Sequence, residues 1–262
     1  MKFVHLKAFV GTMALSVALA GTAQAQLVSA DITSGVSKPT LVDIDVSTVN
    51  ANPVHVPGRV GISVPSTNGQ YIDFQGLKNI LGNNTVTTFI NTTEAETDHS
   101  QYGRFDFGQA GSNDVWFGEW SQAGDASGSS HTVYFGGSDA TTNVEALLQS
   151  GEVKYAVNGI GNYATNGLLS GEFTANFDGL GGGSISGDVT NGSYTVDIGT
   201  ATITNATFSG NGGSVASGAG TLASSGAVTG QFYGSNVDAL AGYVTFTNTV
   251  YDTAFGGTRT TP

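Results

Sequence analysis

From Glu152 onward the chain falls into about eight short segments in which apolar and polar residues alternate with period two, each bounded by Gly, Asn or Asp. Phe173, Ala175 and Phe177 alternate with Glu172, Thr174 and Asn176. Tyr194, Val196 and Ile198 alternate with Ser193, Thr195 and Asp197, and Ala201 and Ile203 follow among Thr200, Thr202 and Thr204. Such a run cannot settle as a helix, because period two puts every apolar side chain on one side of a pleated strand. The 39 glycines among 262 residues are spread between these runs and not gathered into a repeat, which excludes collagen. With one apolar and one polar face per strand, a sheet closed on itself hides both the apolar face and the edges.

A membrane barrel carries the same alternation with its apolar face turned to lipid. Spanning strands need about 9–11 residues and aromatic girdles at both interfaces. The segments here read as six to eight residues, and the terminal Thr260-Thr261-Pro262 does not suit a last barrel strand. The expectation is an all-β protein whose residues 150–262 form a small soluble eight-stranded antiparallel barrel.

Residues 26–149 have a different texture, with longer loops, both tryptophans, most of the cations and the remaining histidines His55, His99 and His131. Runs at Arg59-Val-Gly-Ile-Ser-Val64, Thr85 to Ile90, Val115 to Trp120 and Thr132 to Phe135 read as strands, and only Asn143 to Gln149 hints at a helical turn. This half is read as a second β-rich domain, bounded near Gln149-Ser-Gly151. Function concentrates on loops carried by a rigid scaffold, so the ligand site is expected here.

Residues 1–25 read as a secretory signal: Lys2 and Lys7 precede the apolar Ala8 to Ala20, and Ala23-Gln24-Ala25 fits small-residue cleavage, with Gln26 as the mature start. The apolar run is shorter than the roughly 20 residues that cross a bilayer, so no transmembrane segment is expected in the mature chain. Beyond it six cations remain against twenty acids, a formal −14. A nucleic-acid surface needs clustered cations, so nucleic acid is excluded as a partner. Cysteine is absent, which removes disulfides, thiolate metal sites and lipid attachment through an N-terminal Cys.

No Gly-x-Ser-x-Gly elbow lies between a strand and a helix, and Gly181-Gly-Gly183 and Gly256-Gly257 read as turns, not phosphate cradles. Asp106 and Glu119 beside Trp116 and Trp120 have the ingredients of a glycosidase cleft, although acids on solvated strand faces are the commoner meaning. Neutral imidazole is the commonest metal ligand, which makes the histidines the richest candidates. His55 lies in Asn52-Pro-Val-His-Val-Pro57, where two prolines restrain the backbone. His131 opens the strand Thr132 to Phe135. A loop histidine and a hairpin-flanking polar residue are the plain alternatives for these two. His99 sits in Glu94-Ala-Glu-Thr-Asp-His99, where neighbouring acids favour the imidazolium and oppose ligation.

The run Gly230-Gln-Phe-Tyr-Gly234, Asn236, Leu240-Ala-Gly-Tyr-Val-Thr-Phe246 and Asp252-Thr-Ala-Phe-Gly-Gly257 resembles the closing barrel of Slam-dependent surface proteins, which include transferrin-binding lipoproteins and factor H binding protein. Val115-Trp-Phe-Gly-Glu-Trp120 with His131-Thr-Val-Tyr-Phe-Gly136, and Tyr155 to Ile160 with Gly171 to Phe177, is similar to the hemophilin branch. The likeness runs from about Val115 to Gly257.

The resemblance implies a secreted hemophore of a Gram-negative bacterium. Its N-terminal handle domain would grip haem b between loops, having taken it from haemoglobin. Its barrel would be the export handle for a Slam-type translocon, and a TonB-dependent outer-membrane receptor would take the cargo. On this reading His55 and His131 are the axial ligands to iron, His99 is the reserve, with Tyr102 beside it, and Arg59 and Arg104 meet the propionates. The runner-up is an exported protein that binds a host protein without haem; an enzyme acting on glycans is third.

Overall fold

The computed structural model of the chain describes residues 31–82, 84–90, 102–142, 146 and 148–260. The signal-like segment 1–25, His99 and most of Asn143 to Gln149 lie outside them. The described residues form three sheets: a closed eight-stranded antiparallel barrel, a five-stranded sheet and a three-stranded sheet.

The barrel comprises β9 (Ser150–Ile160), β10 (Leu169–Asp178), β11 (Gly182–Thr190), β12 (Tyr194–Thr204), β13 (Thr207–Ser217), β14 (Gly220–Tyr233), β15 (Ala239–Thr245) and β16 (Thr253–Arg259). Neighbours pair in chain order, and the last strand closes on the first, Ala254 opposite Ile160. The inward positions are apolar and fill the lumen: Val153, Tyr155 and Val157 from β9, Phe173, Ala175 and Phe177 from β10, and Val196, Phe208, Phe232 and Phe255 beyond. Phe208 and Phe232 meet at 5.2 Å between ring centroids, and Phe173 and Phe255 at 5.1 Å. An apolar interior is the inverse of a porin-like barrel, whose lumen is polar.

The strands run from 7 to 14 residues, so the expected length of six to eight is corrected. The cause is visible in β12. Tyr194, Val196 and Ile198 face inward, and so do Ala201 and Ile203, although the phase has slipped by one residue between them. Gly199 sits there at φ +63°, its N–H held by Asp197 Oδ1 at 2.6 Å, and the register with β11 shifts between Ser186 and Asp188. A β-bulge therefore joins two alternating runs into one strand.

The five-stranded sheet has the order β1-β8-β7-β6-β5, from β1 (Thr33–Val36), β5 (Val86–Ile90), β6 (Arg104–Gln109), β7 (Val115–Ser121) and β8 (Thr132–Gly137). All four runs expected as strands in this half are strands. The three-stranded sheet is β2 (Asp43–Val46), β3 (Val60–Ser63) and β4 (Ile72–Asp73), and β4 leads directly into helix α1 (Phe74–Leu81). That helix was not expected. Phe74, Leu77, Ile80 and Leu81 have the spacing of one helical face, and Asp73 caps it by accepting the Gly76 N–H at 2.8 Å.

Each face of the five-stranded sheet has its own cover. Phe105, Phe107, Trp116, Trp120 and Tyr134 pack on α1 and the small sheet, with Phe74 stacked on Trp116 at 5.5 Å and on Tyr134 at 5.7 Å. The opposite face offers Val115, Phe117, Val133 and Phe135 to the outside of the barrel, where Tyr233, Ala239, Ala241 and Ala254 replace the polar residues found outward elsewhere. Gly256 and Gly257 lie within β16 and form no turn. A Cβ on Gly256 would stand 2.3 Å from the Phe117 ring, so glycine is what lets that ring lie on the barrel wall. Among the described residues no helix is long and apolar enough to cross a membrane.

Candidate functional site

His55 lies in the loop between β2 and β3, in a tight turn where the His55 and Ala51 backbones exchange N–H···O bonds of 3.1 Å. Its imidazole is 15% exposed. Nδ1 stands 2.7 Å from Asp73 Oδ1. Asp73 is completely buried, and its carboxylate already accepts the Val56 N–H at 3.3 Å and the Gly76 N–H at 2.8 Å, with the Arg59 guanidinium at 3.5 Å. A carboxylate so surrounded by donors is an ionised acceptor, so Nδ1 carries the hydrogen and donates. Nε2 has no hydrogen-bond partner among the described residues, which leaves its lone pair available to a ligand. The packing behind the ring is close: a Cβ on Gly76 of α1 would come within 2.5 Å of Nδ1.

His55 lines a pocket of about 720 Å³, its open mouth included, between α1 and the sheets. Ile62 and Ile72 of the small sheet, Leu77 and Ile80 of α1, and Phe89, Tyr102 and Phe105 make its walls almost wholly apolar. One imidazole among aliphatic and aromatic walls suits a flat apolar ligand that offers a Lewis acid. Among the described residues no three His, Cys, Asp or Glu side chains converge on a point, so a bare ion has no cage here. Ile80 lines the pocket and is 56% exposed, so α1 gives the mouth an apolar edge.

His131 is not at this pocket. It lies at the start of β8 against the barrel, 1% exposed, with Nε2 2.9 Å from Glu119 Oε2 and Nδ1 2.7 Å from the Thr249 carbonyl oxygen. Glu119 also accepts the backbone N–H groups of Asn162 and Tyr163, each at 2.7 Å, at the start of the short helix α2 (Tyr163–Asn166). Both partners of the imidazole are acceptors, so both ring nitrogens carry hydrogen and the ring is an imidazolium. Burial works against that charge; the Glu119 hydrogen bond and charge, with the Thr249 carbonyl, outweigh it and raise the His131 pKa. A ring in this state has no lone pair to give, so the fold does not assemble the expected His55–His131 axial pair. His131 instead ties the sheet to the barrel.

The arginines separate in the same way. Arg59 reaches the His55 partner Asp73, its guanidinium 3.5 Å from the carboxylate. Arg104 is on the barrel-facing side, bound to Asp106 through Nε at 2.6 Å and through the terminal nitrogen at 3.2 Å, with Thr88 completing the carboxylate's partners at 2.6 Å. Arg104 does not line the His55 pocket. Asp106 and Glu119 are opposite one another in register, but Trp116 and Trp120 point to the other face, so carboxylates and aromatic rings form no common cleft. Tyr102 does line the pocket with His55. The residue that sequence reasoning missed is Asp73; its signal was a capping Asp before an apolar i, i+3, i+7 spacing at Phe74, Leu77 and Leu81.

A filled barrel carrying a β-sandwiched handle, with one histidine presented in an apolar slot, defines a ligand-carrying binding protein. Residues 22–132 match the HphA N-terminal heme-binding domain and residues 145–259 match the HphA C-terminal domain, so the chain belongs to the HphA family and carries its heme-binding domain. Among solved structures it is similar to intact Ap-TbpB with N and C lobes, at 18% identity and a TM-score of 0.42, over 68% of this chain and 39% of that one. A transferrin binding protein B from Haemophilus parasuis Hp5 is 15% identical with a TM-score of 0.47, over 87% of this chain and 45% of that one. The N-lobe domain of lactoferrin binding protein B of Moraxella bovis is 12% identical with a TM-score of 0.34, over 86% and 98%. The chain therefore spans about two fifths of the first of these proteins.

Proposed function

We propose that this protein is a secreted hemophore that holds haem b in the α1 pocket, with His55 Nε2 on the iron. The observation that carries the reading is the asymmetry of the His55 ring: one nitrogen is tied to a buried carboxylate, and the other has no partner among the described residues and lies in an apolar slot. Outer partners of this kind fix the tautomer and direct the lone pair of an iron-ligating histidine. Tyr102 stands in the same pocket, and His99, the reserve ligand, lies outside the described residues. Nothing in the site prepares a substrate for bond breaking, and the reading is of a carrier and not of an enzyme.

The wider reading takes haemoglobin as the source of haem and a TonB-dependent outer-membrane receptor as its destination. The exposed Ile80 side chain at the pocket mouth supports contact with another protein there. The signal-like residues 1–25 and the resemblance of the barrel to Slam-dependent proteins support export from a Gram-negative cell by a Slam-type translocon. A visible absorption titration of the purified protein with hemin tests the core of the proposal. A saturable Soret band is expected in the wild type and in His131→Ala, and its loss in His55→Ala; His99→Ala counts the axial ligands. A wild type that shows no saturable Soret change ends the hemophore reading in favour of a host-protein binder.

A further inference from the structure

We propose that Asp73 makes the pocket selective for ferric over ferrous haem, an inference that rests on haem ligation by His55. Asp73 is a positioning residue and does not touch the ligand. Its carboxylate is fully buried and fixed from four sides: His55 Nδ1 at 2.7 Å, the Val56 N–H at 3.3 Å, the Gly76 N–H at 2.8 Å and the Arg59 guanidinium at 3.5 Å. The α1 cap keeps the carboxylate from turning away, since moving Oδ1 from His55 also strips Oδ2 from the helix N-terminus. A charged acceptor on Nδ1–H makes the ring a stronger electron donor through Nε2, and second-shell hydrogen bonding is one of the few means by which a protein sets the potential of a haem iron. The more positive oxidation state gains more from a stronger donor and from a negative charge held behind it. Arg59 does not cancel this, because it is 38% exposed and lies farther from the carboxylate than the imidazole does.

The geometry also separates the electronic role from the structural one. Asparagine caps a helix as well as aspartate does, so Asp73→Asn with its one oxygen on the Gly76 N–H keeps the cap while removing both the charge and the acceptor behind His55 Nδ1. Spectroelectrochemical titration of the haem-loaded protein is expected to show at least a tenfold loss of ferric preference in Asp73→Asn, which is about 59 mV of positive shift in the one-electron midpoint. A purely structural role would weaken ferric and ferrous haem alike and leave the midpoint where it was.

A measurement on the wild type without haem needs no variant to fold: nitrogen-15 NMR of the histidine rings is expected to find the His55 proton on Nδ1. A proton on Nε2 overturns the proposal. So does an unchanged midpoint in an Asp73→Asn protein that still binds through His55, and that outcome leaves the hemophore reading standing. A wild type that takes up no haem overturns both.

Discussion

His55 and His131 are each within hydrogen-bond reach of a buried carboxylate, at 2.7 Å from Asp73 and 2.9 Å from Glu119, and they serve opposite purposes on opposite sides of the five-stranded sheet. The difference is in the second nitrogen. In His55 it faces no acceptor among the described residues, whereas in His131 it is taken by the Thr249 carbonyl. A histidine–carboxylate pair is therefore not by itself a ligand signature. What decides is whether the remaining nitrogen meets a pocket or another part of the chain.

The largest expected effect falls on haem. His55→Ala should abolish the axial Soret features and weaken hemin binding by more than the roughly 100-fold that removal of an outer partner costs, as read by absorption titration. The same variant should lose about 1–3 kcal/mol of stability, since it leaves the buried Asp73 carboxylate to the Val56 and Gly76 N–H groups and Arg59. His131→Ala should show the opposite balance. It leaves Glu119 without its charged partner and should cost about 3–5 kcal/mol in urea unfolding, with hemin affinity kept. Loss of the Soret band in a folded His131→Ala protein would break the comparison.

Gly256→Ala sharpens it without touching a charge. The added methyl meets the Phe117 ring, and the overpacking should cost about 1–3 kcal/mol by the same unfolding assay while the pocket on the far face stays intact.

The smallest effect is in pH. The raised His131 pKa means that its stabilisation is fully present below about pH 6.5, its ordinary value, and is lost as pH rises through the higher folded value. Asp252 acts in the same direction: burial pushes its pKa up to about 6, against the Phe246 N–H bond and the His131 charge, so the cost of its ionisation is present above about pH 6 and fades toward pH 3.8. Thermal unfolding should therefore occur a few degrees higher at pH 6 than at pH 9, at about 2–4 °C per kcal/mol for a chain of this size. His131→Ala should flatten that slope.

The alternation from Glu152 onward revealed the barrel because each inward side chain, from Phe173 to Phe255, obeys the local two-residue period. Strand length was not legible, because the bulge at Gly199 breaks that period without ending the strand. Helix α1 is two turns long with Gly76 inside it, and its capping Asp73 reads equally well as the end of a strand, which it also is. The wall that the barrel shares with the handle left a trace: Ala239, Ala241, Ala254 and Gly256 stand where Thr, Ser or Glu stand on exposed strands. The latch left none. Thr249 is 118 residues from His131, and no local pattern tells an imidazole that it will find two acceptors.

Closure of the barrel by β16 on β9 ties completion of the barrel to the pairing of that one strand. Without β16, β9 and β15 each keep a bare edge, and Phe117 loses the Gly256 surface on which it rests. A chain cut short by a dozen residues is thus not a shorter carrier but a sticky one, with open strands and an uncovered apolar sheet displayed together. Quality control acting on unfolded surface would see every incomplete copy, including those whose haem pocket is already made.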